Sequence, residues 1–174
     1  MTAERRQTVI QGEWVVSDDR RLVLTTILGS CVAACIRDPV AGVGGMNHFL
    51  LPEGAEGSRP VETERYGVYL MELLVNGLLK KGALRQRMEA RIFGGSAFMG
   101  GRYAIGARNV AFAEGFLKAE GIAAKSGSTG GQQGRRVEFW PVSGRMRQIL
   151  LKSPPPPPPR VAPKPAHAGE IELF

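Results

Sequence analysis

Cysteine and histidine are scarce: Cys31, Cys35, His48 and His167 are all that 174 residues contain. Two cysteines make no disulfide framework, and four residues apart on one extended strand they stand too far apart to bridge. No C-x-x-C or H-x-x-x-H spacing occurs, which speaks against a structural zinc site. No stretch approaches the roughly 18 apolar residues of a membrane helix, and Met1 to Arg6 leads into no signal-peptide core. Aromatic residues are only 7% of the chain. They do not interleave with Arg5, Arg6, Arg20, Arg21, Lys80, Lys81, Arg85, Arg87, Arg135 and Arg136 as an RNA-binding sheet requires. The net charge of +7 therefore suits acidic partner surfaces better than nucleic acid. A soluble, cytoplasmic protein without metal or cofactor, and with no insertion into a membrane, is the expectation.

What is present is enough apolar material for a core, 43% of residues, and a sharp change of composition at Ser153. Pro154 to Pro159 is an unbroken proline run that can neither join a sheet nor continue a helix. The division expected is a domain at 1–152 and an extended proline-rich tail at 153–174 ending in the alternating Glu170-Ile171-Glu172-Leu173-Phe174. That terminus has the spacing of a short strand able to augment a partner's sheet edge.

Within the domain, Thr8 to Val16, Leu22 to Ile27, Val32 to Arg37, Val43 to Leu51, Ala90 to Phe93, Ile122 to Lys125, Val137 to Trp140 and Met146 to Leu151 read as strands. Helical spacing runs from Glu64 to Lys81, with Thr63 as N-cap and Gly82 just past the end, and again from about Ile105 to Glu120, stopped by Gly121. The pattern predicts an α+β fold: a layered sheet core with two main amphipathic helices packed on it.

The densest chemical signal is Leu28-Gly29-Ser30-Cys31-Val32, followed by Gly44-Gly45-Met46-Asn47-His48-Phe49. A hairpin turn centred between Pro39 and Val40 sets Cys31 directly opposite His48, where side chains on one face meet across about 5 Å, the reach a Cys–His nucleophile needs. A one-residue slip separates them onto opposite faces, and Gly44-Gly45 is a place for such a bulge. Glycine before the cysteine permits a bend that frees local N–H groups for an oxyanion. A cysteine in an apolar strand is as readily plain packing, and that reading fits Cys35. Asn47 reads as structural, and Asn109 as a cap or packing residue. Ser30 lacks a Gly-x-Ser-x-Gly elbow, and the glycine pairs at 94–95 and 100–101 lack a phosphate-loop lysine.

These residues, with Arg65-Tyr66-Gly67, Phe93-Gly94-Gly95-Ser96, Ile105-Gly106-Ala107-Arg108-Asn109 and Gly130-Gly131, resemble the CheD family of chemoreceptor glutamine deamidases over about residues 8–150. The resemblance implies a β-sandwich-like core and hydrolysis of glutamine side-chain amides on chemotaxis receptors. It also implies a catalytic set of Cys31, His48 and Thr25, with Thr26 as the alternative if the strand register differs. Chemoreceptor helices would be the substrate, and relatives also bind CheC-type phosphatases, so a binding role on such a phosphatase is the alternative function. One departure stands out: Ser128-Thr129 precede Gly130-Gly131 where the family usually has an acid.

The two cysteines separate in a simple experiment. Cys31→Ala is expected to abolish glutamine deamidation with the fold intact, and Cys35→Ala to keep it at a modest cost in stability. Mass spectrometry of a treated receptor fragment reads both, and the reverse outcome would reassign the nucleophile.

Overall fold

The computed structural model describes residues 3–52, 60–97 and 103–152. The tail at 153–174, with its proline run, lies outside the described residues. In chain order the elements are β1 (Arg5–Thr8), β2 (Trp14–Ser17), β3 (Leu22–Leu28), β4 (Val32–Asp38), β5 (Val43–Asn47), α1 (Pro60–Lys80), β6 (Glu89–Gly94), α2 (Tyr103–Ala119), β7 (Ala123–Ala124), β8 (Ser128–Thr129), β9 (Arg135–Phe139) and β10 (Met146–Leu150). The expected α+β layering is what the chain adopts.

Two sheets stack face to face. One has the order β1-β3-β9-β10; the other runs β2-β5-β4-β6-β7, with β8 also paired to β6. Alternation sorts their side chains. Leu22, Leu24 and Leu28 of β3, with Val137 and Phe139 of β9, meet Ala33 and Cys35 of β4, Met46 of β5 and Phe93 of β6 between the sheets. The opposite face of β4 and β5, through Ala34, Ile36 and Val43, packs under the helices against Leu70, Met71, Leu74, Leu78, Ala113 and Leu117. The layers are thus helix, sheet, sheet, each burying a face that a lone element would leave wet.

The predicted strand from Thr8 to Val16 is in fact two. Glu13 N–H closes a turn on the Ile10 carbonyl at 3.0 Å, and Gly12 at its centre has φ +89°, a conformation open to glycine at little cost. The turn sends β1 to pair in parallel with β3 and β2 to pair with β5 in the other sheet. Helix α1 begins at Pro60, not at Glu64 behind a Thr63 cap: proline suits a first turn, where its missing N–H is not needed. Its end is as expected, with Gly82 at φ +90° and Ala83 N–H reaching back to the Leu78 carbonyl at 3.1 Å.

Gly44-Gly45 forms no bulge. Gly45 pairs in register with Val16 on one side and Ile36 on the other. A Cβ there would stand 2.6 Å from the Val15 carbonyl oxygen and 2.7 Å from Leu74 Cδ1. The glycine is there so that β2 and α1 can press against the same strand.

Asp38 secures the β4–β5 turn. One carboxylate oxygen accepts the Val40 and Ala41 amides at 2.9 and 3.0 Å, and the other accepts Leu84 N–H at 2.9 Å and Arg87 Nε at 2.8 Å. Burial works against its ionisation, but the amides of Ala41 and Leu84 and then Arg87 outweigh it and hold the carboxyl at about 2. Asp38→Ala is expected to lower stability by about 3 kcal/mol, since it removes the acceptor of a half-buried cation and of three amides. Urea denaturation measures this. The Asp38 contribution is fully present above pH 3.8, the unperturbed value, and is lost as pH falls through the folded-state value.

Candidate active site

The β4–β5 turn is centred between Val40 and Ala41, one residue later than expected, with Asp38 facing Val43. The pairing continues to Cys35 opposite Met46 and resumes at a single bridge, Val32 opposite Phe49. Cys31 therefore does not face His48 directly. His48 lies across from Ala33, one step along the same face, where diagonal neighbours stand about 7–8 Å apart at Cα and long side chains still meet. The shift is two residues in the pairing, so the face is preserved.

Between those two pairings the ladder is interrupted. Ala34 N–H is taken by the side-chain oxygen of Asn47 at 3.0 Å, and the Asn47 amide group reaches the Leu70 carbonyl and Met71 Sδ in α1. The backbone of His48 is bonded away from β4, its N–H to the Glu13 carbonyl at 3.1 Å and its carbonyl to Gly12 N–H at 2.8 Å. The strands part where the chemistry-bearing side chains stand.

The imidazole of His48 is buried. Its Nδ1 lies 2.9 Å from Thr26 Oγ1 and 3.2 Å from the Val9 carbonyl oxygen, while Thr26 itself donates to Val9 O at 2.7 Å. A carbonyl only accepts, and the one hydroxyl proton of Thr26 goes to it, so Nδ1 carries the hydrogen. In the neutral ring Nε2 is then the basic atom, and it has no hydrogen-bond partner among the described residues. Thr25 is not part of this arrangement. Inner positions of β3 alternate through Leu22, Leu24, Thr26 and Leu28, which turns Thr25 outward, 3.4 Å from Thr8 Oγ1. The alternation of leucines was the signal in the sequence that singles out Thr26; the Val9 carbonyl, a backbone atom, has no such signal.

Cys31 is half-buried and reduced, as is the fully buried Cys35. Its thiol donates to Gln11 Oε1 at 3.7 Å. The loop carrying it is held by its carbonyls: Gly29 O by Ser96 N–H at 2.9 Å, Cys31 O by Gly95 N–H at 2.8 Å, and Ser30 O by Asn109 Nδ2 at 2.9 Å. In a trans peptide the N–H points opposite to the C=O. The Ser30 and Cys31 amides are thereby turned away from β6 and α2, and among the described residues neither donates to another backbone carbonyl. Such paired donors beside a thiol suit an oxyanion. Asn109, fully buried, is neither cap nor filler: its oxygen accepts Leu51 N–H at 3.1 Å, so one side chain ties the cysteine loop to the segment after His48.

Burial sets the charge state. Desolvation pushes the Cys31 thiol up to about 11, against a small opposing effect of its own amide. The imidazole is pushed below its ordinary 6.5, first by burial, with Val9 and Glu13 pulling the other way. Burial thus favours the neutral form of both groups, the thiol and the imidazole. Where the family acid is missing, the buried Arg135 guanidinium bonds to the Ser128 hydroxyl at 2.9 Å and to the Ser128 and Gly130 carbonyls.

The thiol of Cys31 packs against the core between the sheets, and the buried imidazole of His48 has one nitrogen pinned and the other unpartnered among the described residues. The chain belongs to the CheD family: the family model described as CheD chemotactic sensory transduction matches residues 50–148. A Caulobacter protein (strain K31) is 56% identical over 95% of this chain and 91% of its own. One from Agrobacterium fabrum is 53% identical over 99% and 98%, and one from Rhizobium rhizogenes 60% identical over 84% and 80%. Each of the three is named "Probable chemoreceptor glutamine deamidase CheD". A solved Neisseria meningitidis structure, NMB0706, overlaps at a TM-score of 0.48 with 13% identity, over 73% of this chain and 64% of that one.

The buried thiol has a measurable signature. With the thiol near 11, alkylation of Cys31 by iodoacetamide is expected to rise about tenfold per pH unit from neutrality into the alkaline range, following the thiolate fraction. A rate plateau already reached at neutral pH would show an ion pair instead.

Proposed function

We propose that the protein hydrolyses glutamine side-chain amides on chemoreceptors, with Cys31 as nucleophile, His48 as base and Thr26, not Thr25, orienting the imidazole. The observation that carries this reading is the tautomer: Nδ1 is committed to Thr26 Oγ1 and Val9 O, which leaves a buried, unpartnered Nε2 on the face shared with Cys31. The substrate class rests on the names of the relatives.

His48 Nε2 removes the thiol proton as sulfur attacks the amide carbon, so a stable thiolate is not required. The carbonyl oxygen becomes an oxyanion and is met by the Ser30 and Cys31 amides. The Val9 carbonyl and the threonine oxygen accept the Nδ1–H of the imidazolium and stabilise it less than a carboxylate would. His48 then protonates the departing nitrogen, which leaves as ammonia. Water, deprotonated by His48, cleaves the thioester, giving glutamate and the free thiol. Activity requires neutral His48, so its acid limb falls below pH 6.5.

The test is mass spectrometry of a receptor cytoplasmic fragment, reading the gain from replacing an amide NH2 by OH. His48→Ala is expected to be inactive. Thr26→Val, which keeps the shape and removes the hydroxyl, is expected to lose about ten- to a hundredfold in kcat because the Val9 carbonyl still holds Nδ1. Thr25→Val is expected to stay within about twofold. Loss in Thr25→Val with an active Thr26→Val would reverse the assignment, and a fully active His48→Ala would end it.

A further inference from the structure

The thiol hydrogen-bonds to the same functional group that a glutamine deamidase acts on. Gln11 Oε1 is 3.7 Å from Cys31 Sγ, and the position of Gln11 is fixed by the base itself. Its turn is closed by Glu13 N–H on Ile10 O and by Ile10 N–H on the Glu13 carboxylate at 3.1 Å. It is anchored to His48 by the Gly12 and Glu13 backbone. The residue before the turn is Val9, whose carbonyl meets Nδ1. On the other side stands Tyr66 of α1, whose hydroxyl would lie 3.1 Å from a Cβ at Gly12. Burial, and secondarily the neighbouring Cys31, push its phenol up. The turn that orients the base thus also holds a carboxamide over the nucleophile.

We propose that the Gln11 carboxamide occupies the place of the substrate amide at Cys31, so that an incoming glutamine side chain must displace it. This rests on Cys31 being the nucleophile. The contact is made by the amide oxygen, with the carbonyl carbon one bond further from sulfur, so it is a bound pose and not an attack. An S–H donor to a carbonyl is weak, and Gln11 is only half-buried, so displacement is easy. Its removal is worth a few-fold to about tenfold in apparent affinity. Gln11 then acts as a filter: a substrate amide must make contacts that a lone carboxamide does not, and small free amides compete poorly.

The full-length protein with Gln11→Ala tests this with two independent readouts. Alkylation of Cys31 by iodoacetamide is expected to accelerate several-fold at fixed pH, and KM for a receptor cytoplasmic fragment to fall by a few-fold to about tenfold. Acetamide is expected to slow alkylation more in Gln11→Ala than in the native protein. Gln11→Glu, which keeps the shape but places a carboxylate on the thiol, is expected to slow alkylation. Unchanged alkylation and KM in Gln11→Ala would overturn the proposal. So would a fall in kcat at constant KM, because Gln11 would then serve the transition state. Activity retained by Cys31→Ala would defeat the nucleophile assignment instead, and the alkylation rates would still report whether Gln11 covers the thiol.

Discussion

The hydrogen bonds that converge on His48 Nδ1 are the constraint on which the site depends. Thr26 comes from β3 in one sheet, His48 follows β5 in the other, and Val9 belongs to the segment between β1 and β2 that crosses from sheet to sheet. A polar junction inside an otherwise apolar sandwich is tolerable only if its groups satisfy one another. Here the hydroxyl, the carbonyl and Nδ1–H do so. The remaining group, Nε2, is left without a partner among the described residues, and it is the atom to which the proposed mechanism gives the base's role. The junction therefore registers the two sheets against each other and fixes the tautomer in the same stroke.

Burial in the sandwich decides the acid–base character of the site. Desolvation disfavours both charged forms, raising the thiol and lowering the imidazole, and Nδ1 meets a hydroxyl and a carbonyl, which offset that cost less than a carboxylate would. In the proposed mechanism the pair keeps its proton until a substrate amide supplies somewhere for the electrons to go.

The helices contribute through buried asparagines. Asn47 fills the gap where β4 and β5 part and fastens it to α1, and Asn109 of α2 fixes the peptide preceding Cys31 and the chain after His48. Each is a fully buried amide spending its donors and acceptors on backbone groups that a sheet ladder would otherwise have satisfied. The outer layer thus holds open, from behind, a break in the sheet that the core alone would close.

The layered fold and both helices were legible in the chain, because periodicity and glycine stops are local properties. So was the face shared by Cys31 and His48, since a two-residue error in the turn preserves alternation. The choice of Thr26 was legible in principle from the leucines of β3, which put even positions inward. Other features were decided only in three dimensions. The strand from Thr8 to Val16 divides because its two halves find partners in different sheets. The Val9 carbonyl and Gln11 meet His48 and Cys31 only when the turn between those halves folds over them. Asn109 reaches Ser30 across the layers. The charge state of the Cys–His pair followed last, because burial, unlike residue type, belongs to the packed sandwich and not to the sequence.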